Sequence, residues 1–302
     1  MGDVIGRRAF LKTLLGSAAA LTALGSYAFG VEPAFRLAVR RYAPALPRWP
    51  EDLPLTMTII ADPHAGEPHM SRARLEEVVE AANALGSDLI LLLGDYEASH
   101  PFVTRPVPVR DCAAVFRNLR APLGVHAILG NHDWWDDRDA QRNRRGPIRA
   151  RRAFEAVGIP VLENDAVRIE KDGRPFWLLG LGDQLALRGR PMVGVDDLEG
   201  TLSRVTDDAP AILLAHEPDI FPAVPDRIAL TLSGHTHGGQ VRVFGYSPMV
   251  PSRFGNRYAY GHVEEEGRHL IVSGGLGTSI LPIRFGVPPE ITHVTLGAPR
   301  PG

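Results

Sequence analysis

The sequence predicts a layered α/β domain, built on one mixed β-sheet or on two packed sheets. In the first half of the chain, apolar runs of strand length alternate with a segment of helical periodicity. In the second half, apolar runs follow one another in the manner of hairpins. Strands that alternate with helices and then continue as hairpins are typical of a sheet covered by helices. The sequence contains no internal repeat, so we expect one domain.

The first 30 residues differ from the rest of the chain. Arg7 and Arg8 precede a weakly apolar run, and Ser26 and Ala28 form a small-x-small pair where a signal peptidase can cut. The arginine pair resembles the twin-arginine export signal. We interpret residues 1–30 as a twin-arginine signal peptide or an uncleaved N-terminal anchor; a chance arginine pair is the alternative.

Export implies a partner and a location for the chain. The twin-arginine translocase would be the partner during export. The product would be periplasmic, or would face the periplasm while the N-terminal segment associates with the membrane. The apolar run is short and rich in Ala and Gly compared with the ~20 strongly apolar residues that a bilayer requires.

Residues 31–54 contain five prolines and little periodicity, which predicts a proline-rich tether with one helical turn at residues 35–41. The domain is then expected over 55–298. Residues 72–85 have helical spacing, with Ser71 placed to cap the helix and Gly86 to end it. Asp172 and Gly173 suit a hairpin turn. The apolar runs that predict strands are 55–61, 88–94, 124–130, 211–216, 230–237, 269–277 and 291–297.

The composition excludes several classes of protein and site. The chain is 44% hydrophobic and 23% charged, with a formal net charge of -2. We expect no nucleic-acid partner, because such proteins carry a strongly basic surface. The single cysteine, Cys112, rules out an internal disulfide and leaves nitrogen and oxygen atoms as the metal ligands.

Polar residues follow five of the predicted strands. Singly, each has a structural explanation, since Asp and Asn are common turn formers. Together they favour a shared site, because five of the 11 histidines fall at these positions and strand carboxyl ends form the ligand crevice of open α/β sheets. The residues are Asp62, His64, Asp95, Asn131, His132, Asp133, His216, His235 and His237.

This set of donors predicts a metal centre. Imidazoles and carboxylates without thiolates suit manganese, iron or zinc, and the nitrogen ligands argue against calcium or magnesium alone. Four histidines, two aspartates and an asparagine exceed the needs of one tetrahedral ion. They match two ions that share a bridging carboxylate, a type of centre that polarises phosphoryl oxygens.

In chain order, the blocks DPH, GD, GNHD, a single histidine at 216 and GHTH resemble the five signature blocks of the calcineurin-like metallophosphoesterases. The resemblance spans Asp62 to His237. It implies an αββα sandwich, in which two packed mixed β-sheets are flanked by helices. Pro63 stands where relatives usually have an aliphatic residue, and we expect it to leave the neighbouring side chains undisturbed.

The resemblance also implies roles for the site residues. The metals would be two divalent or transition metal ions, manganese first, with iron or zinc as alternatives. By this correspondence the ligands of the first ion are Asp62, His64 and His237. The ligands of the second ion are Asn131, His216 and His235, and Asp95 bridges both ions. His132 would stabilise the phosphate or protonate the leaving oxygen, and Asp133 would orient the His132 imidazole.

The implied activity is metal-dependent hydrolysis of a phosphoric ester by direct attack of a hydroxide that bridges the metals. The sequences SGHTHGGQ, LAHEPD and GGLGTS resemble an envelope-associated branch of the family. That branch implies a phosphodiester or phosphomonoester substrate in the cell envelope, either a phosphorylated small molecule or a lipid-linked one. Two alternatives stay open: pyrophosphate hydrolysis of UDP-2,3-diacylglucosamine, a lipid A precursor, and a non-catalytic, metal-bound scaffold.

The segment after the GNHD block is rich in arginine. Residues 136–152 contain seven arginines, which predict a solvated loop and helix face. Alternatively, Arg145 or Arg149 binds a substrate phosphate, since guanidinium groups suit that geometry. Trp134 and Trp135 could stack on a base or sugar, enter lipid, or pack in the core.

Overall fold

Two β-sheets pack face to face in the computed structural model of the chain, which describes residues 7–297. The strands are β1 (Ala38–Tyr42), β2 (Leu55–Ile60), β3 (Gly66–Glu67), β4 (Leu89–Leu92), β5 (Arg105–Pro106), β6 (Val125–Ala127), β7 (Asp165–Lys171), β8 (Arg174–Gly180), β9 (Ala211–Leu214), β10 (Ile228–Ser233), β11 (Gly261–Glu265), β12 (Arg268–Val272) and β13 (Glu290–Leu296). The helices are α1 (Arg7–Ser26), α2 (Glu32–Phe35), α3 (Arg72–Ala84), α4 (Val109–Phe116), α5 (Asn131–Trp135), α6 (Arg138–Asn143), α7 (Arg149–Ala156) and α8 (Leu198–Ser203). A π-helical turn covers Tyr27–Val31, and short 3₁₀ turns cover Pro218–Ala223, His237–Gly239 and Gly255–Tyr258.

The strand order places parallel strands along one side of the first sheet and in the middle of the second. The first sheet has the order β1-β13-β2-β4-β6, and the second has the order β11-β12-β10-β9-β8-β7. Strands β2, β4 and β6 run parallel in the first sheet, as do β8, β9, β10 and β12 in the second. β3 pairs with β5 apart from both sheets. The carboxyl ends of the parallel strands are therefore free to form one site.

Apolar side chains fill the space between the sheets and beneath the helices. Met57 and Ile59 of β2 belong to one buried cluster with Phe176 and Leu178 of β8, and this cluster joins the two sheets. On the outer side of the first sheet, residues of α3, α4 and α7 form a second cluster. Residues of α8 pack on the outer side of the second sheet. The predicted αββα layering is confirmed.

Local signals in the sequence explain where several elements begin and end. Helix α3 starts after Ser71, whose hydroxyl accepts a hydrogen bond from the Arg74 backbone N–H at 3.2 Å. Gly86 has a φ of 62° and follows the end of α3. Strands β7 and β8 form the predicted hairpin, with Asp172 and Gly173 both at positive φ in the turn.

The N-terminal segment is more regular than the sequence indicates. Strand β1 pairs in parallel with β13, so part of the predicted tether at 31–54 belongs to the first sheet. The predicted helical turn at residues 35–41 is wrong: the helix ends at Phe35 and the chain extends, because the edge of β13 offers backbone partners. Residues 1–6 of the predicted signal peptide, and residue 298 at the predicted end of the domain, lie outside the described residues.

The helical segment before β1 is long and apolar enough to cross a membrane. It covers Leu11–Phe35, and most of it is exposed. At 25 residues, its length as a helix is roughly 37 Å, compared with about 30 Å for the hydrocarbon core of a bilayer. A signal sequence near an N-terminus has the same properties, so length and composition do not distinguish an anchor from a signal.

Candidate metal centre

Polar residues follow five parallel strands at one edge of the sandwich, where the carboxyl ends of β2, β4 and β6 meet those of β9 and β10. The first three strands belong to the first sheet and the last two to the second. The residues at this edge are Asp62 and His64 after β2, Asp95 after β4, Asn131, His132 and Asp133 after β6, His216 after β9, and His235 and His237 after β10. The seven ligand candidates are each less than 10% exposed.

Three of these side chains form a first cluster. One ligand atom from each of Asp62, His64 and His237 lies within 4.8 Å of the others. The two imidazole Nε2 atoms are 3.1 Å apart, and Nε2 of His237 is 3.7 Å from Oδ1 of Asp62. Lone pairs of two imidazoles and a carboxylate thus point at one small volume, as in the coordination shell of a transition metal ion.

A second cluster lies beside the first. Asp95, His216 and His235 also bring their ligand atoms within 4.8 Å of one another. Asn131 belongs to this cluster, because its Oδ1 is 2.9 Å from Nδ1 of His235. Nδ1 of His216 is 2.6 Å from the Leu93 carbonyl oxygen. That contact fixes the tautomer with its lone pair on Nε2, which faces the cluster.

Asp95 occupies the position between the two clusters. Its Oδ2 is 3.4 Å from Nε2 of His64 in the first cluster and 3.2 Å from Nε2 of His216 in the second. Its other oxygen, Oδ1, accepts a hydrogen bond from the His132 backbone N–H at 2.8 Å. A single carboxylate therefore reaches both clusters, which is the geometry that a bridging ligand requires.

The backbone at the ligands is held in an uncommon conformation. Asp62, His64, Asp95, His235 and His237 have φ values of 49°, 39°, 59°, 66° and 52°, in the left-handed region that non-glycine residues rarely adopt. Such residues concentrate at functional sites, where the surrounding structure maintains the strain. At Gly130, a Cβ would overlap the Asp95 carboxylate and the His216 ring. The glycine of the GNHD block therefore allows the strands to approach this closely.

Burial controls the charges of the ligand candidates. It lowers the pKa of His64 to about 3, and it also lowers the pKa values of His235 and His237, so these imidazoles are neutral and can act as ligands. Burial raises the pKa of Asp62 to about 7. Burial opposes ionisation of Asp95, but the neighbouring His216 and His132 outweigh it and lower its pKa. Metal ions here would supply the positive charge that the buried carboxylates need.

Comparisons with known proteins agree with this geometry. A family model described as calcineurin-like phosphoesterase matches residues 55–239. The chain is 32% identical to the uncharacterized metallophosphoesterase YkuE of Bacillus subtilis, over 97% of this chain and 98% of that protein. The chain belongs to the calcineurin-like phosphoesterase family.

Two other relatives extend this picture of the phosphoesterase. The chain is 31% identical to the phosphodiesterase YaeI of Escherichia coli, over 76% of this chain and 78% of that protein. It is 30% identical to a putative metallophosphoesterase of Caenorhabditis elegans over 80% of its own length, but it spans only 48% of that longer protein. The chain is a hydrolase, and its two clusters fit a binuclear divalent metal site.

His132 lies at the mouth of the phosphoesterase centre, partly exposed to solvent. Its Nδ1 is 3.2 Å from the Ser99 hydroxyl and its Nε2 is 3.3 Å from the Ser279 hydroxyl. The ring also contacts Trp135, with centroids 5.0 Å apart, and the His64 ring, with centroids 4.9 Å apart. Two hydroxyl groups position this imidazole beside the first cluster. One of its ring nitrogens also lies within 4.8 Å of ligand atoms of His64 and Asp95, so His132 borders the ligand set proposed from the sequence.

Asp133 has contacts other than the one predicted for it. Its carboxylate does not bond to the His132 imidazole but accepts three backbone N–H groups, from Asp95 and Gly130 at 2.9 Å each and from Tyr96 at 3.0 Å. The cause is helix geometry: Asp133 is in the first turn of α5, so its side chain turns back toward the strand ends. Asp133 thus fixes the loop that presents Asp95, and serine hydroxyls contact His132 instead.

Arg284 is a site residue that the sequence does not reveal. Its side chain is fully buried, and Nη2 lies 3.4 Å from Nδ1 of His237. Its guanidinium donates to the carbonyl oxygens of Gly274, Gly277 and Val287. Burial lowers the pKa of Arg284 to about 10. No local pattern marks this arginine, because its contacts come from segments that only the fold brings together.

A pair of buried carboxylates lies beside the second cluster. Asp183 and Glu217 are 1% and 2% exposed, and each places an oxygen within 4.8 Å of a His216 nitrogen. Burial and the neighbouring charge of Glu217 raise the pKa of Asp183 well above its usual value. Gln184 donates to Glu217 through its backbone and its side chain. Glu217 directly follows the predicted ligand His216, and this adjacency was the sequence signal that could have placed Glu217 at the site.

The tryptophans and arginines after the GNHD block have mainly structural contacts. Trp134 is 2% exposed and belongs to the core. Trp135 donates from Nε1 to the Leu185 carbonyl oxygen at 2.8 Å. Arg149 donates to the carbonyl oxygen of Asp136, and Arg145 is exposed. Trp134 therefore packs in the core, and phosphate binding by Arg145 stays a prediction.

Proposed function

We propose that this phosphoesterase hydrolyses a phosphodiester of the cell envelope, with two manganese ions in its centre. The observation that supports this most strongly is Asp95, whose carboxylate lies within 3.4 Å of histidines from both clusters. Two ions held there would polarise the phosphoryl oxygens and activate water. The relative from Escherichia coli is named a phosphodiesterase, which agrees with a diester as substrate.

The charges around the centre favour a diester over a monoester. Asp183 and Glu217 add acidic groups beside the second cluster, within 4.8 Å of His216. A phosphodiester carries one negative charge, whereas a phosphomonoester carries nearly two near neutral pH. Because the raised pKa of Asp183 favours its neutral form, Glu217 carries the remaining negative charge of this pair, and it repels the singly charged ester less. His132, at the mouth of the centre, is placed to donate a proton to the departing alkoxide.

We propose the periplasmic face of the cell envelope as the location of the enzyme, reached through the twin-arginine translocase. Support comes from Arg7 and Arg8, which directly precede the apolar helix of Leu11–Phe35. A phosphodiester in a lipid headgroup or in another envelope molecule is then within reach of the centre. The lipid-linked sugar pyrophosphate remains a second candidate for the substrate panel below.

The test is hydrolysis of bis-p-nitrophenyl phosphate by the full chain loaded with Mn²⁺. We expect Asp95→Asn to lower the rate by more than about 100-fold. Loss of a group that only hydrogen-bonds to a metal ligand lowers activity or metal affinity by about 10- to 100-fold, and loss of a ligand itself should have a larger effect. Asp88→Asn, at the opposite end of the sandwich, is the matched control and should keep full activity. If wild type is no faster than Asp95→Asn with any divalent metal, the proposal is wrong.

The substrate class is tested by parallel arms of the same assay. p-Nitrophenyl phosphate represents monoesters, phospholipid vesicles represent lipid diesters, and a nucleotide-sugar lipid represents pyrophosphates. We expect the diester arms to exceed the monoester arm. A reversed order would contradict the charge argument from Asp183 and Glu217 while leaving the hydrolase assignment intact.

A further inference from the structure

Three loops around the mouth of the centre expose large apolar side chains. These segments, residues 100–102, 240–249 and 278–285, are called the rim loops below. Their exposed apolar residues are Phe102, Val243, Phe244, Tyr246, Met249, Ile280 and Leu281. Phe244 is fully exposed and Met249 is 73% exposed. Single exposed apolar residues are normal, but a concentration of them around one site marks an interaction surface.

Hydrogen bonds hold two of the rim loops together. The backbone N–H of Phe285 donates to the Gln240 carbonyl oxygen at 2.8 Å. The backbone N–H of Ser279 donates to Oε1 of Gln240 at 2.6 Å, and Nε2 of Gln240 donates to the Leu281 carbonyl oxygen at 3.0 Å. The loops at 240–249 and 278–285 therefore form one continuous surface.

The same surface adjoins the catalytic centre and the third rim loop. The Ser279 hydroxyl lies 3.3 Å from Nε2 of His132, next to the exposed Ile280. The Thr278 hydroxyl lies 3.4 Å from Nε2 of His100, which places residues 100–102 at this edge as well. A ligand that covers the rim loops thus covers the entrance to the centre.

The apolar N-terminal helix ends at the rim loops. The backbone N–H of Arg284 donates to the Ala28 carbonyl oxygen at 2.9 Å. The rings of Tyr27 and Phe285 meet edge to face with centroids 6.3 Å apart. Nε2 of His69 lies 2.8 Å from the Phe29 carbonyl oxygen. The segment that can cross a membrane is therefore attached to the side of the domain that carries the exposed apolar residues.

This attachment also bears on processing of the N-terminus. Ala28, after which a signal peptidase would cut, is 6% exposed and lies in helical backbone. Proteolysis favours exposed, poorly ordered chain. In the folded protein the bond after Ala28 is protected, which favours an anchor over a cleaved signal.

The charges of the rim loops suit an anionic lipid surface. No aspartate or glutamate occurs in residues 98–110, 227–263 or 267–289, which contain the rim loops. Arg242 lies in the longest loop, with its guanidinium 5.6 Å from the centre of the Tyr260 ring. Apolar side chains without acidic neighbours insert into the lipid interface, and nearby basic groups attract anionic headgroups.

We propose that the rim loops and the N-terminal helix contact the same lipid bilayer, so that the catalytic centre faces the membrane surface. The substrate is then a phosphodiester in a lipid headgroup, which reaches His132 without leaving the bilayer. Membrane contact through the rim loops is inferred from their exposed apolar residues alone, whereas the lipid substrate rests on the proposed function.

Site-directed labelling of the full chain in vesicles tests this orientation. Phe244→Cys places an environment-sensitive fluorophore in the rim loops. Glu170→Cys places it at an exposed position on β7, opposite the start of β8 and so away from the strand ends that form the centre. The native Cys112 is fully buried and does not compete for the label. The vesicles contain phosphatidylcholine and phosphatidylglycerol, with or without a lipid that carries a nitroxide quencher.

We expect the quencher to reduce fluorescence from position 244 at least about twofold, since the side chain lies at the headgroup boundary, and to leave position 170 unchanged. Equal quenching at both positions, or none at 244, overturns the proposal. Emission from 244 that shifts with protein concentration and not with lipid would indicate a second copy of the chain on this surface, and would also overturn it.

An activity measurement separates this inference from the proposed function. Phe244→Ser combined with Met249→Ser should leave hydrolysis of bis-p-nitrophenyl phosphate unchanged but lower hydrolysis of vesicle phospholipid by about tenfold, because apolar insertion is lost. Met192→Ser, at an exposed apolar residue outside the rim loops, is the control. Equal rates on vesicles would contradict membrane docking. Failure of wild type on the soluble diester would instead contradict the proposed function, and the labelling result would still stand.

Discussion

Charged side chains at the metal end of the sandwich lie inside the protein, whereas those at the opposite end lie near the surface in ion pairs. Asp62 and Asp95 are 0% and 1% exposed. At the other end, Asp88 precedes β4 and accepts hydrogen bonds from the backbone and hydroxyl of Thr56, both at 2.8 Å. Asp88 also pairs with Lys171 of β7, so it joins the first sheet to the second.

The difference shows that one end of the molecule is built for function and the other for stability. Residues in left-handed backbone cost about 1–3 kcal/mol each, and five ligand candidates adopt it at the metal end. Burial further disfavours the ionised form of Asp62. At the opposite end, burial also opposes ionisation of Asp88, but Lys171 and Thr56 outweigh it and lower its pKa. Substitutions at the two ends should therefore have different consequences.

The largest effect is expected at His132. Replacing it with alanine should lower turnover of a soluble diester by about 10²–10⁴-fold, the usual contribution of a general acid–base residue. Metal content should stay at the wild-type level, because the seven proposed ligands remain in place without His132, whose nitrogen only borders those of His64 and Asp95. Elemental analysis checks this point, with His262→Ala, on strand β11 and outside the proposed ligand set, as the control. Loss of metal together with activity would make His132 a ligand.

A smaller effect, on stability, is expected at Asp133. Asp133→Ala should lower the free energy of unfolding by about 3 kcal/mol or more, because three backbone N–H groups lose their acceptor and each unsatisfied group costs about 1–3 kcal/mol. Asp133→Asn keeps one acceptor oxygen and should lie between alanine and wild type. Urea denaturation of chelator-treated protein measures this. An alanine variant within 1 kcal/mol of wild type would show that Asp133 does not organise the loop.

The smallest effect is expected at Asp88. Asp88→Asn should lower the free energy of unfolding by about 1.5–3 kcal/mol, the range for hydrogen bonds to a charged group, with activity unchanged. Since the folded pKa of Asp88 is lowered, its contribution is complete above the unfolded pKa of about 4 and is lost as pH falls through the folded value. Denaturation at pH 7 and pH 3 measures this. A difference between wild type and variant that grows toward pH 3 would contradict the ion pair.

The fold could be predicted from the sequence because its signals are local. Helix α3, the β7–β8 hairpin and the buried strands each depend on periodicity and turn residues within a short window. The candidate ligands were also found in this way, since they follow apolar strands and strand ends converge. Strand β1 was missed because its partner, β13, lies about 250 residues away in sequence, and its own composition resembles a linker.

The finer structure of the site could not be predicted for the same physical reason. Arg284 is bound to carbonyl groups that approach it only after folding, and nothing in its neighbourhood indicates burial. Asp133 was assigned to His132 because carboxylates commonly orient active-site histidines. Its actual partners are set by the first turn of α5, which directs the carboxylate toward β4. Adjacent residues on a helix point in different directions, so sequence neighbours are poor guides to contacts.

The origin of the ligand candidates in both sheets has a consequence for how the enzyme matures. Asp62 and Asp95 come from the first sheet, and His216, His235 and His237 come from the second. The complete set of donors exists only once the sheets have packed, so ions would bind the folded chain in preference to the unfolded one. By mass action, an ion at 100 times its dissociation constant adds about 2.7 kcal/mol to folding. Bound ions would therefore oppose separation of the two sheets.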